Sequence, residues 1–260
     1  MRIASFNING IKARLPALLE WLRARGPEVV LLQELKSVDE AVPREEIEAL
    51  GYRVETHGQK SFNGVAILSK LALEDVGRGL PGDDADEQAR WIEATVSGEA
   101  GAVRVCGLYL PNGNPAPGPK FDYKLAWMER LEARAREMLA DEMPLVMAGD
   151  YNVIPEARDA ANPQNWADDA LFLPESRAAL RRIVHLGFHD AVREVTQAGG
   201  AYTFWDYQRG AWERDDGIRI DHLLLSPQAA DRMTGVGIDR EERAREKPSD
   251  HVPVWVELAV

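Results

Sequence analysis

Cysteine is nearly absent: Cys106 stands alone among 260 residues. A single thiol cannot close an intrachain disulfide, and it excludes zinc or iron–sulfur sites built from several thiolates. Cys106 falls within Val103-Arg104-Val105-Cys106-Gly107-Leu108-Tyr109, which reads as a strand, so a buried structural thiol is expected. Long apolar runs are missing as well. No stretch approaches the roughly 18 consecutive apolar residues of a membrane helix. No basic region followed by a signal-like apolar segment opens the chain, and a cytoplasmic protein is the expectation. Positive charge is in short supply, with 31 Lys and Arg against 43 Asp and Glu and a net charge of −12. That balance is awkward for a partner of nucleic acid. A divalent cation held by carboxylates would nevertheless reverse the sign locally. The candidate phosphate-contacting cations are Lys12, Arg14, Lys36, Lys60, Lys120, Lys124, Arg209 and Arg219.

Neither a repeat nor a low-complexity linker divides the chain, so residues 1–260 are read as one domain. Strands and helices mix throughout. Leu15, Leu18, Leu19 and Leu22 recur at helical spacing and stop at Gly26-Pro27, between a strand-like start and the run Val29-Val30-Leu31-Leu32. Residues 64–69, 91–96, 103–109, 145–148, 220–225 and 252–258 read as further strands. Phe121, Leu125, Met128, Leu131 and Met138 mark a long helix, and another runs from Ser176, a candidate N-cap, to Gly187. Two stretches, 111–119 and 154–175, are irregular, and the length of the second points to function or mobility. Many strands in two packed sheets suit this pattern.

Polar groups gather at strand ends, where a rigid scaffold can present them to a ligand. The clearest strings are Gly149-Asp150-Tyr151-Asn152, which follows Leu145-Val146-Met147-Ala148, and Ser249-Asp250-His251, which precedes Val252-Pro253-Val254. Asn7 follows the first strand and Gln33-Glu34 ends the second. Glu34 and Asp250 offer hard oxygen ligands to a divalent cation, with amide groups of Asn7 and Asn152 nearby. Asp150 suits the holding and deprotonation of a water, and His251 suits donation to a phosphate oxygen if a carboxylate such as Asp221 holds its ring. Tyr109 could donate to phosphate or act as a phenolate. Singly, each residue has an ordinary structural explanation, such as an Asx turn or a solvated strand end. His222 is expected to be structural, because it points to the opposite face from Asp221. Together the strings suit metal-assisted phosphodiester hydrolysis.

In order, Phe6-Asn7-Ile8-Asn9-Gly10-Ile11, Leu32-Gln33-Glu34-Leu35-Lys36, Tyr109-Leu110-Pro111-Asn112-Gly113, Gly149-Asp150-Tyr151-Asn152, Gly217-Ile218-Arg219-Ile220-Asp221 and Ser249-Asp250-His251 closely resemble bacterial exonuclease III. That branch of the endonuclease/exonuclease/phosphatase superfamily includes the major apurinic/apyrimidinic (AP) endonucleases. The resemblance spans essentially the whole chain. It implies an α/β fold, a four-layer αββα sandwich of two packed mixed β-sheets flanked by helices. It implies cleavage 5′ to abasic sites in duplex DNA, with 3′-phosphodiesterase and 3′-to-5′ exonuclease activity, by a monomer using one or two Mg²⁺ ions, for which Mn²⁺ could substitute. Blocked 3′ ends are the second expected DNA substrate.

Carried over motif by motif, the resemblance makes Tyr109, Asp150, Asn152, Asp221 and His251 catalytic. It places Asn7, Glu34, Asp150, Asn152, Asp250 and His251 at or near the metal. Lys36 and Asn112 would touch the DNA backbone, and Phe204, Trp205, Ile218 and Ile220 would form or flank an apolar pocket for the flipped-out abasic sugar. Ile218 stands where animal-type relatives carry tryptophan, and Asn9 where they carry an aspartate. The rival reading is a superfamily cousin that hydrolyses nonspecific DNA, RNA or a small phosphoester.

Overall fold

In a computed structural model describing residues 1–260, the chain runs β1 (Arg2–Asn7), α1 (Ile11–Arg25), β2 (Val29–Gln33), α2 (Arg44–Glu48), β3 (Arg53–His57), β4 (Val65–Ser69), β5 (Leu73–Arg78), β6 (Trp91–Ser97) and β7 (Ala102–Tyr109). It continues through α3 (Pro119–Leu139), β8 (Leu145–Asp150), α4 (Pro174–Val184), β9 (His189–Asp190), α5 (Ala191–Val195), β10 (Asp221–Leu225), α6 (Pro227–Ala230), β11 (Met233–Ile238) and β12 (Val254–Leu258). The strands form two six-stranded sheets, ordered β11-β12-β1-β2-β4-β3 and β5-β6-β7-β8-β10-β9. Both are mixed: β1 and β2 pair in parallel, as do β7 and β8, and the remaining pairs are antiparallel.

Three apolar layers hold the molecule together. Ile3, Leu31, Ile67, Ile92, Val105, Val146, Leu223 and Val254 fill the space between the sheets. Alternate residues of the same strands face outward: Phe6, Val30 and Leu32 meet Leu18, Trp21 and Leu22 of α1. On the opposite side, Cys106, Leu108 and Met147 meet Trp127, Met128 and Leu131 of α3 and Leu180 and Ile183 of α4. Burial on both faces explains why the inner strands are continuous apolar runs, without alternation. The expected αββα sandwich is therefore observed. Cys106 is fully buried, with its sulfur against Met138, as expected for a structural thiol. No helix is long and apolar enough to cross a membrane.

One local expectation is corrected. Ser176 lies inside α4, which begins at Pro174 after Leu173. Its hydroxyl donates to the Ala170 carbonyl at 2.6 Å, so it fastens the preceding loop and caps nothing. That loop, 154–175, contains two short 3₁₀ turns, Ala157–Asp159 and Pro163–Trp166.

Lys124 and Arg219, expected among the phosphate-contacting cations, are buried. Arg219 donates to Asp159 at 2.6 Å and Asp190 at 2.7 Å, and lies 3.1 Å from His222 Nδ1. The His222 Nε2 lies 2.9 Å from the Val153 carbonyl, which confirms its structural role. Burial alone would raise the Asp159 and Asp190 carboxyls, but Arg219 and its neighbours outweigh it and hold both below the ordinary value of 3.8. Depressed folded-state pKa values contribute stability that is present above the unfolded value and is lost as pH falls through the folded one. Melting temperature should therefore drop as pH is lowered below about 4; a flat profile on that acid limb would contradict this account of the cluster.

Gly149 sits where β8 meets β7, opposite Leu108. A Cβ there would collide with the Leu108 backbone carbonyl. Gly149→Ala must push β8 and Asp150 away from β7, at a cost of about 3 kcal/mol. In a domain of this size calorimetry should show a fall of roughly 6–12 °C in Tm.

Candidate active site

The strand ends that carry the polar strings lie along one edge of both sheets. Asn7 closes β1, Tyr109 closes β7, Asp150 closes β8, and Asp221 opens β10 opposite Asp150 in register. Glu34 follows β2, and Asp250 and His251 precede β12. The turns leaving these strands are sharp. Asn9, Glu34, Lys36 and Asn152 all hold left-handed backbone, with φ between 47° and 52°. This conformation is uncommon for residues other than glycine, especially for Glu and Lys, and non-glycine residues in it concentrate at functional sites.

The side chains form one continuous network. The Asn7 amide donates to Glu34 Oε1 and to Asp150 Oδ2, each at 2.9 Å. Its own oxygen accepts from the Asn9 backbone N–H at 3.1 Å. Lys36 closes on Glu34 Oε2 at 2.8 Å and donates to Asn9 Oδ1 at 2.6 Å, while Asn9 Nδ2 donates to Asp250 Oδ1 at 2.9 Å. Asp150 Oδ1 accepts the Asn152 backbone N–H at 2.8 Å. Asn152 in turn donates to the Leu110 carbonyl at 2.8 Å and accepts from the Asn112 amide at 3.2 Å. His251 Nδ1 lies 2.8 Å from Asp221 Oδ2, and its Nε2 lies 3.7 Å from Asp150 Oδ2.

These contacts separate the charges. Burial would raise the Glu34 carboxyl, but Lys36 and Asn7 hold it below its ordinary value. Burial raises the Asp150 carboxyl, with Asp221 adding to the effect, and His251 offsets it only in part; the result is about 7. For His251 burial acts downward, yet Asp221 and Asp150 outweigh it and raise the imidazole to about 10. Tyr109 is pushed well above its ordinary value by burial and by the Glu34 and Asp150 carboxylates. It is thereby kept a neutral phenol and a donor, which disfavours the phenolate role.

A cavity of roughly 260 Å³ opens over this network, lined by Glu34, Tyr109, Asn112, Asp150, Asn152, Asp250 and His251 on its polar side. Trp166, Leu171, Phe204 and Ile220 provide the apolar side. Phe204 meets the His251 ring edge-on at 5.0 Å. Two of the residues expected to form or flank the pocket do not line the cavity itself. Trp205 is fully buried, packed against Trp212 at 5.0 Å and bonded to Asp215, so its indole does not line the cavity. Ile218 packs in one cluster with the cavity-lining Leu171 and Ile220, without lining the cavity itself. Asn114, Trp166, Asp169 and Leu171 line the cavity but were absent from the sequence-derived set. The only sign of them was the irregularity of the two loops that carry them.

The donor set suits a hard divalent cation. Ligand atoms of Glu34, Asp150 and His251 lie within 4.8 Å of one another, and two of the three groups are carboxylates. Asp250 faces the same cavity but lies outside that tight set, with one oxygen engaged by Asn9. His251 supplies the third ligand atom of that group, and Asp221 against its Nδ1 raises its affinity for a proton while no cation is bound.

Fold and site together define a phosphoester hydrolase built at the edge of an αββα sandwich. Residues 4–251 match the Endonuclease/Exonuclease/phosphatase family, and the chain belongs to it as a nuclease-class hydrolase. Over 99% of its length it is 37% identical to exodeoxyribonuclease III of Haemophilus influenzae, all of which is covered. Among solved structures, it is similar to an AP endonuclease from Archaeoglobus fulgidus, with a TM-score of 0.94, 36% identity and full coverage of both chains. It is also similar to a 3′ phosphatase, NExo, from Neisseria bound to product DNA hairpin, with a TM-score of 0.96, 36% identity and full coverage of both.

The His251 assignment can be measured in metal-free protein by ¹⁵N NMR of the imidazole. A raised pKa means that the ring stays protonated through neutral pH and loses its proton only towards 10. Asp221→Asn should bring that titration down towards the ordinary value of 6.5. Wild-type titration already near 6.5 would refute the Asp221–His251 pairing as the source of charge.

Proposed function

We propose that this protein is a DNA-repair nuclease that hydrolyses the phosphodiester 5′ to abasic sites in duplex DNA. The same centre would remove 3′ blocking groups and digest 3′ ends, acting as a monomer in the cytoplasm with Mg²⁺, for which Mn²⁺ can substitute. The reading rests above all on one observation: Glu34, Asp150 and His251 converge with ligand atoms within 4.8 Å of one another, in a cavity with one apolar wall.

Each residue then has a task. Glu34 and Asp150, spaced by the Asn7 amide and with Asp250 nearby, would hold the cation, which would supply charge relief at the phosphate oxygens and the leaving oxygen. Asp150 would take the proton of the attacking water as the water oxygen bonds to phosphorus. The bond from phosphorus to the 3′ oxygen breaks, and the departing alkoxide takes a proton from solvent water to give the 3′-hydroxyl. His251 donates to a non-bridging oxygen, and Tyr109 donates from its neutral phenol. Asn152, oriented by Leu110 and Asn112, supplies a further amide at the phosphate.

The apolar wall of Phe204, Ile220, Leu171 and Trp166 would receive the sugar that lacks a base, and an intact base would be excluded by size. Lys36, exposed beside Glu34, and Asn112 on the cavity wall would meet the DNA backbone. The net charge of −12 does not preclude this, because a bound divalent cation would reverse the sign of the field at the cleft.

The test is a duplex with one synthetic abasic site, in Mg²⁺ with and without EDTA, alongside intact and 3′-phosphorylated duplexes. Incision should occur at the abasic site and stop with EDTA. Asp150→Asn should lower kcat by about 10³-fold or more while duplex binding is largely kept, because a base acts on the transition state. Equal cutting of abasic and intact duplex would reject the substrate assignment, and unchanged turnover in Asp150→Asn would reject the base. Affinity should also fall steeply between about 50 and 200 mM salt as counterions are released.

A further inference from the structure

Lys124 of α3 has no solvent exposure, and no carboxylate accepts a hydrogen bond from it. Its ammonium instead donates to the backbone carbonyls of Asn112 at 3.1 Å, Asn152 at 2.6 Å and Ala170 at 3.2 Å. An ammonium has three N–H donors, and the three carbonyls use all of them. Burying a charge this way is costly, so a lysine held only by carbonyls calls for an explanation.

The three acceptors belong to different loops. Asn112 follows β7, Asn152 follows β8, and Ala170 ends the irregular stretch before α4. Each loop forms part of the cavity wall: Asn112 and Asn114 from the first, Asn152 from the second, and Trp166, Asp169 and Leu171 from the third. No secondary-structure ladder joins these segments; pairwise bonds link them, such as Ile154 N–H to the Leu171 carbonyl at 2.8 Å and Asn112 to Asn152 at 3.2 Å, and Lys124 bonds all three at once. Backbone also makes room for the side chain. Gly113 has φ of +90°, and a Cβ there would approach Lys124 Cδ to 2.7 Å.

We propose that Lys124 is a positioning residue for the phosphodiester cleavage described above, its ammonium tying the three cleft loops together and setting where the Asn152 and Asn112 amides meet the phosphate. The inference rests on the nuclease reading for its consequence in catalysis, whereas the tie itself is a property of the folded chain. The Glu34 side of the network does not depend on it, since Glu34 is fixed by Asn7 and Lys36.

Lys124→Met in the full chain keeps length and bulk and removes the donors. On the substrate that wild type cleaves, kcat should fall about 10²-fold, the usual cost of a displacement near 1 Å in a catalytic group. Mn²⁺ affinity, measured by calorimetry without DNA, should stay at the wild-type value. The side-chain amide NMR signals of Asn152 and Asn112 should shift, and that of Asn7 should not. If Lys124→Met does not fold, Gly113→Ala displaces the lysine stem with the amine intact, and the same split is expected. Unshifted Asn152 and Asn112 signals, or wild-type kcat in the folded variant, would overturn the proposal. So would parallel losses in kcat and Mn²⁺ affinity, which describe general loosening. If wild type cleaves no DNA, the nuclease reading fails, and the amide signals still decide whether Lys124 sets the loops.

Discussion

The Asn7 amide joins two carboxylates that arrive from different sheets. Glu34 comes from the turn after β2 in the first sheet, and Asp150 from the end of β8 in the second. Both hydrogens of one NH₂ group are used, so the separation of the carboxylates is fixed by a group that cannot stretch. The geometry exists only because β1 lies over β8 and β2 over β7 across a dry interface. The second bond across the sheets, Asp221 of β10 to His251 before β12, does the same for the histidine. A change in sheet spacing would open both bonds together. Packing of Ile3, Leu31, Val105 and Val146 is therefore linked to the chemistry at the edge, several residues away.

Three acids and a histidine crowded into a buried site would ordinarily repel or neutralise one another. Here the partners are distributed unequally, and the inequality divides the work. Glu34 has Lys36 and Asn7 and remains ionised. Asp221 has His251 as its direct partner at 2.8 Å. Asp150 is left with amide donors and a histidine 3.7 Å away, so burial dominates and its proton affinity rises. Two carboxylates with proton affinities driven apart is the pattern by which sites assign ligand and base.

Much of this was legible in the sequence, and the omissions have a common cause. The eight strands read from apolar runs are β1, β2, β4, β6, β7, β8, β10 and β12, the interior strands of the two sheets. The four that escaped, β3, β5, β9 and β11, are the four edges. Edge strands pair on one side only and carry polar residues that resist further pairing, as in Arg53-Val-Glu-Thr-His57, so they lack the apolar signal. The polar strings at the site were readable for the opposite reason: each interrupts an interior run abruptly. Trp205 and Ile218 show where such reading stops. Their neighbours Phe204 and Ile220 reach the cavity, but the segments carrying them form only isolated bridges before β10, and no regular alternation indicates which side chain faces the cleft. Asp250 illustrates a different limit, because its engagement by Asn9 depends on a contact 241 residues apart in the chain.

The division between strand ends and loops also bears on substrate choice. Glu34, Asp150, Asp221 and His251 sit at or beside strand ends, and in the proposed reaction they would act on whichever phosphoester is presented. The residues that could discriminate among substrates, Asn114, Trp166, Asp169, Leu171 and Phe204, stand outside the named strands. They are held by side-chain bonds such as Asn114 to Asp169 at 3.0 Å and by the Asn114 oxygen accepting from Ala170 N–H at 3.0 Å. These loops also reach the strand ends, through Asn112 to Asn152 at 3.2 Å and through Lys124 to the Asn152 carbonyl at 2.6 Å. An AP endonuclease and a 3′ phosphatase both superpose on this chain at 36% identity. That is the relation expected where a common edge supplies the reaction and the loop wall selects what enters it.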